Sequence, residues 1–186
     1  MTAQHSPAPF RASSAPAPFR ARRALPVLRR TLCAASLALL LAAGPAAAVA
    51  GGVEWPAAGN TAAQVEKAGL TMLDTEQLAM HIHTTLEVFA DGEQVTVPAD
   101  IGIDRSGPSP RYSPLHTHDE TGTIHVESAE WRDFTLGQLL TEWGTPREDT
   151  RFGAPLAWVD GRPWAGDADD IVFRDGETIT LRYLSR

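Results

Sequence analysis

The feature that constrains the fold most is an alternation of side chains that begins at Met80. Ile82 and Leu86 fall on one side of this segment, whereas His81 and His83 fall on the other. Because successive side chains of a β-strand point to opposite faces of its sheet, this period of two predicts a half-buried strand. Such a strand needs a core on its apolar side, and it leaves the histidines on the opposite, wetter face.

The segments after this strand predict a small mixed domain. Asp91-Gly92 is a hairpin turn signal, and the return strand begins at Val95 and Val97. The Pro- and Gly-rich segment 98–115 is expected to be a loop; long loops are often functional, but this one is expected to connect strands, with the lining of a substrate entrance as the alternative. Further strands are predicted over 123–128, 156–159 and 178–183.

A helix with unusually complete end signals is predicted after residue 134. Thr135 is its expected N-cap and Gln138 completes a capping box, while Phe134 and Leu139 form a hydrophobic staple. Gly144 is expected to end the helix. The order of elements predicts an α+β fold, with a mostly antiparallel sheet and one short capped helix packed on it, in a β-grasp-like arrangement.

Residues 1–50 have the three parts of an export signal peptide. A basic segment that ends in Arg29-Arg30 precedes the apolar run 32–43, and small residues at 44–50 resemble a cleavage site. The paired arginines hint at twin-arginine export. The alternative is an uncleaved signal that anchors the protein in a membrane. Residues 51–70 are expected to form a loose N-terminal arm or short helix, and residues 71–186 a single histidine-rich α+β domain.

The charge of the chain excludes some classes of partner. Ten of the 16 bases and all 23 acids lie in residues 51–186, so this part has a formal charge of −13. A body this acidic repels phosphate backbones, and we therefore expect no nucleic-acid binding. The one cysteine, Cys33, lies in the predicted signal, so a metal site in the remaining chain must form without thiolate.

Five of the six histidines lie within residues 81–125, in three arms of residues that are two positions apart. In a strand, residues at this spacing project from the same face, so each arm offers two donor groups that point one way. Adjacent strands would bring imidazole nitrogens within reach of one ion. The candidate metal ligands are His81, His83, His116, His118 and His125, with Asp119 and Glu127 as further ligands or as acceptors that orient an imidazole.

The histidine motifs also resemble those of a known family. The strings His81-Ile82-His83, Leu115-His116-Thr117-His118-Asp119 and Gly122-Thr123-Ile124-His125-Val126-Glu127 are similar to an exported domain of bacteria and archaea. The resemblance covers roughly residues 69–184. It implies one domain with one site, and it implies neither a reaction nor a particular metal.

These observations favour an exported Cu(II)- or Zn(II)-binding protein that serves sequestration, delivery or sensing, with release of the ion expected below about pH 6. One alternative is a metal-dependent enzyme, hydrolytic or oxygen-dependent, with an open position on a histidine-ligated ion. A second is a metal-free extracellular interaction module that uses exposed tryptophans. The remaining alternatives for the histidines are a solvated face and a pH-responsive or hydrogen-bonded network.

Overall fold

The computed structural model describes residues 52–186 of the chain. The predicted export signal, with its twin arginines and Cys33, lies outside the described residues. The alternation at Met80 forms β1 (Met80–Ala90), an eleven-residue strand in which buried and more exposed positions alternate. The predicted assignment of its apolar residues to the core and of its histidines to the other face is therefore confirmed.

Strand β1 lies in the middle of a seven-stranded sheet. The other strands of this sheet are β2 (Glu93–Val95), β5 (Leu115–His116), β6 (Thr123–Ser128), β7 (Leu156–Val159), β8 (Arg162–Pro163) and β9 (Thr178–Tyr183). The order across the sheet is β5-β6-β1-β9-β7-β8, with β2 paired to the end of β1. Strands β1 and β9 run parallel, and the other pairs are antiparallel.

The predicted α+β fold with a mostly antiparallel sheet is confirmed. Helix α2 (Leu136–Trp143) has both hydrogen bonds of the predicted capping box, between Thr135 and Gln138. It ends at Gly144, which has a φ of 79° that suits glycine. The other helices within residues 52–186 are short, namely α1 (Thr61–Lys67), α3 (Thr145–Glu148) and a 3₁₀ turn (Ala168–Asp170).

The core lies on one face of the sheet. Leu86 of β1, Ile124 of β6 and Ile179 of β9 are buried together with Leu139 and Trp143 of α2. Leu139 and Trp143 of the helix therefore cover the apolar face of the sheet, and burial of large apolar side chains is the main source of stability. The opposite face of β1 and β6 stays available for polar groups.

The segment that precedes α1 is packed against this core. The Trp55 side chain is 2% exposed and makes edge-to-face contacts with Trp143, Phe152 and Tyr183. Its indole N–H donates to Asp149, and the indole N–H of Trp143 donates to the Trp55 carbonyl oxygen. Of the two expectations for residues 51–70, a loose arm or a short helix, the described residues have the helix, preceded by a segment that Trp55 holds in place.

Segment 98–115, expected to be a loop, contains short strands. Strands β3 (Ile103–Asp104) and β4 (Arg111–Tyr112) form a two-stranded sheet, and β5 follows at once. The physical reason is burial, because Ile101, Ile103 and Leu115 are almost fully buried and their backbone groups need partners there. The Pro- and Gly-rich composition concealed these elements.

All described residues belong to one compact unit. Within residues 52–186, no helix has the length and apolar character that crossing a membrane requires.

We predict that Trp55→Ala lowers the free energy of unfolding by about 3–5 kcal/mol, because it removes a buried indole and its aromatic contacts. Urea denaturation followed by circular dichroism measures this change. The matched control is Trp131→Ala, since Trp131 is 73% exposed and its removal should cost less than about 0.5 kcal/mol. Equal effects of the two substitutions would contradict packing of the segment that precedes α1.

Candidate metal centre

The sheet register places three histidines side by side on three neighbouring strands. His83 of β1 lies opposite His125 of β6, and His125 lies opposite His116 of β5. One step along the same face, His81 lies opposite Glu127. Since neighbouring strands are about 4.8 Å apart, this register alone brings the side chains within reach of one another.

Backbone contacts on both sides hold these strands in place. The His83 N–H donates to the carboxylate of Asp175, and the His83 carbonyl oxygen accepts from the N–H of Gly176. On the other side, the Glu127 N–H donates to the Pro114 carbonyl oxygen. The histidines thus stand on strands whose backbones have partners on both edges, which favours a preorganised site.

A first group of donor atoms forms around His83. Its Nε2 lies 3.2 Å from His81 Nε2 and 3.2 Å from His125 Nδ1. Glu127 Oε1 lies 3.2 Å from His81 Nε2 and 3.6 Å from His125 Nδ1. Two ligands of a tetrahedral ion with bonds of about 2.1 Å are about 3.4 Å apart, so these spacings are those of atoms around one ion.

A second group forms at the end of β5. His116 Nε2 lies 3.2 Å from His118 Nε2, and Glu76 Oε1 lies 3.8 Å and 3.4 Å from these two nitrogens. Glu76 was absent from the predicted site. It comes from the segment before β1, which is joined to the β4 region by a pair of backbone hydrogen bonds between Leu73 and Tyr112. No local motif marks Glu76, because its place depends on contacts that are distant in sequence.

The two groups are in contact through His125. The His125 ring centroid lies 4.5 Å from that of His83 and 4.6 Å from that of His118, and its ring stacks on His116 at 5.4 Å. His81, His83 and His125 offer donor atoms that all lie within 4.8 Å of one another, and so do His116, His118 and His125. The expectation that the paired imidazoles converge is confirmed, and the described residues contain groups that could hold a metal ion.

His116 is held in one tautomer by its surroundings. Its Nδ1–H donates to the Ser113 carbonyl oxygen at 2.9 Å, which leaves the Nε2 lone pair aimed at the second group. The side chain is 0% exposed, and burial lowers the pKa of His116 to about 4. The imidazole is therefore neutral at neutral pH, as a metal ligand must be.

The electrostatics of His125 and Glu127 also fit a cation. Burial, with the neighbouring His118, His83 and His81, lowers the pKa of His125 to about 4. Burial and the nearby Glu76 raise the pKa of Glu127. Among the residues that the structure describes, the buried Oε2 of Glu127 has no hydrogen-bond partner. An unpaired buried carboxylate oxygen is costly, and a bound cation would remove that cost.

A buried acid, Glu142, is linked to the second group through Ser113. Glu142 of α2 is 1% exposed, and its Oε1 accepts a hydrogen bond of 2.5 Å from the Ser113 hydroxyl. The carbonyl of the same serine accepts from His116, so the helix, the serine and the histidine are linked. Burial raises the pKa of Glu142 to about 8, although the serine hydrogen bond opposes this shift. No local motif in the sequence marks Glu142, because its role depends on Ser113, which is 29 residues away.

Asp119 lies outside these groups of donor atoms. Its Oδ1 accepts from the backbone N–H of Thr121 at 2.9 Å and from the Thr121 hydroxyl at 2.6 Å. These bonds lower the pKa of Asp119 and stabilise its own turn. The structure thus brings together the five predicted histidines and Glu127, adds Glu76, and places Asp119 in a neighbouring turn rather than among the donors.

We predict that Glu142 makes the metal-free protein lose stability as the pH rises from about 7 to 8, above the range in which the lowered pKa values of His116 and His125 have the opposite effect. The folded pKa of Glu142, about 8, exceeds the unfolded value near 4.5, so the folded state binds more protons in this window. The free energy of unfolding should then fall with pH by up to about 1.4 kcal/mol per unit. Glu142→Gln should remove this part of the slope, because the amide imitates the neutral acid and does not titrate.

Urea denaturation at several pH values, in the presence of a chelator, measures these slopes. The control is Glu148→Gln, which changes an exposed glutamate close to α2 and should keep the slope of the original protein. An unchanged slope in Glu142→Gln would show that this acid is ionised in the folded state.

Comparison with known proteins does not assign a family or a function to this site. No family model, curated protein or solved structure matches the chain. The resemblance of the histidine motifs to an exported bacterial and archaeal family therefore stays a prediction, and the function is argued from the site.

Proposed function

We propose that this protein is an exported transition-metal-binding protein that takes up Cu(II) or Zn(II). The observation that carries the proposal is the convergence of imidazole nitrogens from β1, β6 and β5, at separations of 3.2 Å within each group. Neutral nitrogens at this distance repel through their lone pairs unless a proton or a cation lies between them. A bound ion satisfies several of them at once.

The chemistry of the donors supports these two metals. Imidazole with carboxylate suits Cu(II), Zn(II) and Ni(II), whereas Cu(I) prefers thiolate and thioether. Residues 51–186 contain no cysteine, and their methionines, Met72 and Met80, face the core, being partly or fully buried there. Among divalent ions Cu(II) has the highest intrinsic affinity for such a site, and Zn(II) suits it by geometry.

The proposed location rests on the sequence of the first fifty residues. A basic segment, an apolar run and small residues follow one another there, as in an export signal. An oxidising compartment outside the cytoplasm keeps copper as Cu(II), which agrees with the donor set. The absence of cysteine from residues 51–186 agrees with a fold that needs no disulfide.

The exposure of the site fits sequestration, delivery or sensing. The side chains of His81 and His118 are 40% and 39% exposed, so an ion can enter from solvent and leave again. His116 and Glu127 are buried beneath them and form the fixed part of the site. Glu76 and Glu127 supply negative charge close to the nitrogens, which favours a divalent cation over a neutral ligand.

We expect the protein, purified without a histidine tag, to bind Cu(II) and Zn(II) with micromolar affinity or better at pH 7.5. Isothermal titration and elemental analysis after gel filtration measure binding and retention. Combined substitution of His81, His83 and His118 by Gln should weaken binding at least tenfold, because it removes three of the imidazole donors.

The matched control is Asp119→Asn, which changes a predicted ligand that the structure places in a neighbouring turn. This variant should bind within about twofold of the original protein. Absence of micromolar binding by the original protein would rule out the proposed function, and equal loss in the control would contradict the assigned donors.

A further inference from the structure

We infer that the centre holds two metal ions, joined by the carboxylate of Glu127. This inference rests on the proposed metal-binding function and adds its stoichiometry and ligand distribution. It follows from the number of donors, from their division into two groups, and from the position of one buried carboxylate between the groups.

At separations of up to 3.8 Å the donors form two groups; His125 is also within 4.8 Å of His116 and His118, and it is counted with His83 because those two nitrogens lie 3.2 Å apart. His81, His83 and His125 form the first group. The Nε2 of His83 lies 3.2 Å from the Nε2 of His81 and 3.2 Å from the Nδ1 of His125. His116 and His118 form the second together with Glu76, at separations of 3.2–3.8 Å. Each group supplies three ligand atoms that belong to different side chains.

A single ion would use only part of this set. Four-coordinate Cu(II) or Zn(II) takes four donors, whereas five imidazoles and two carboxylates are gathered here. One ion in the first group would leave His116 and His118 with their nitrogens 3.2 Å apart and no ion between them. Two ions use every one of the seven side chains.

Glu127 is placed to complete both groups. Its Oε1 lies 3.2 Å from His81 Nε2 and 3.6 Å from His125 Nδ1, within the first group. Glu127 also offers an oxygen within 4.8 Å of donor atoms of Glu76 and His116, which belong to the second group. Its Oε2 is buried and has no hydrogen-bond partner among the described residues, so it is free to bind a second cation.

The resulting ligand count is balanced. Three ligands from each group plus one oxygen of Glu127 give each ion four donors, which is the usual number for protein-bound Zn(II). Two divalent ions carry four positive charges, and the carboxylates of Glu76 and Glu127 offset two of them. Residues 51–186 carry a formal charge of −13, so the remaining two positive charges lie in an acidic protein.

We expect two Zn(II) per chain when the protein is loaded with excess Zn(II) and the bound metal is counted by native mass spectrometry. Two half-site variants test the division into groups, namely His81→Gln with His83→Gln, and His118→Gln with Glu76→Gln. These side chains are exposed, so the fold should survive, and each variant should retain one Zn(II). Asp119→Asn is the control and should retain two.

One Zn(II) per chain in the original protein would overturn the two-ion centre while leaving the proposed function intact. No retained Zn(II) and no retained Cu(II) would instead overturn the proposed function. Loss of both ions in either half-site variant would contradict independent groups and point to one shared ion.

Electron paramagnetic resonance of the Cu(II)-loaded protein tests the shared carboxylate. Two Cu(II) ions joined by Glu127 should be magnetically coupled, so the signal of the loaded protein should fall well below that of two isolated ions. Each half-site variant should show the full signal of one isolated Cu(II). A full, uncoupled signal from two Cu(II) per chain in the original protein would exclude Glu127 as the bridge.

Discussion

The antiparallel register of β6 against β1 and β5 is the constraint on which the rest of this structure depends. It sets His83, His125 and His116 opposite one another, and it also sets the apolar residues of the same strands into the core. A shift of one residue would turn both sets to the wrong face at once. The burial of Ile124 and Val126 therefore fixes the position of the imidazoles on the opposite face of the same strands.

The polar cluster itself adds little to folding. Neutral imidazoles gathered on a sheet face bury polar atoms, and the unpaired Oε2 of Glu127 carries a desolvation cost. The opposite face offsets this cost through Trp143, Trp55 and the leucines of α2. The domain can bear the desolvation cost of this polar cluster because its apolar core is continuous from Trp55, before α1, to Tyr183 of β9.

Local patterns predicted much of this architecture. The alternation in β1, the capping box of Thr135 and Gln138 and the α+β class were all readable from neighbouring residues. The sequence also identified the five histidines and Glu127, because spacing by two has the same meaning in any strand. Glu76 and the role of Ser113 with Glu142 were not readable, since each depends on segments that meet only in the folded chain. The short strands within 98–115 were hidden by proline and glycine. The hydrogen bonds of Asp119 to Thr121, within its own turn, were not predicted either.

Strand β1 contributes both to the core and to the face that carries the histidines, and this has a consequence for how the molecule moves. Its backbone amides are paired with β6 on one edge and with β9 on the other. A bound group that contacts several of the imidazoles also restrains these backbone amides, although the amides lie in the middle of the sheet. Hydrogen–deuterium exchange of these amides would therefore slow when the imidazoles are restrained, although the core side chains lie on the other face of the sheet.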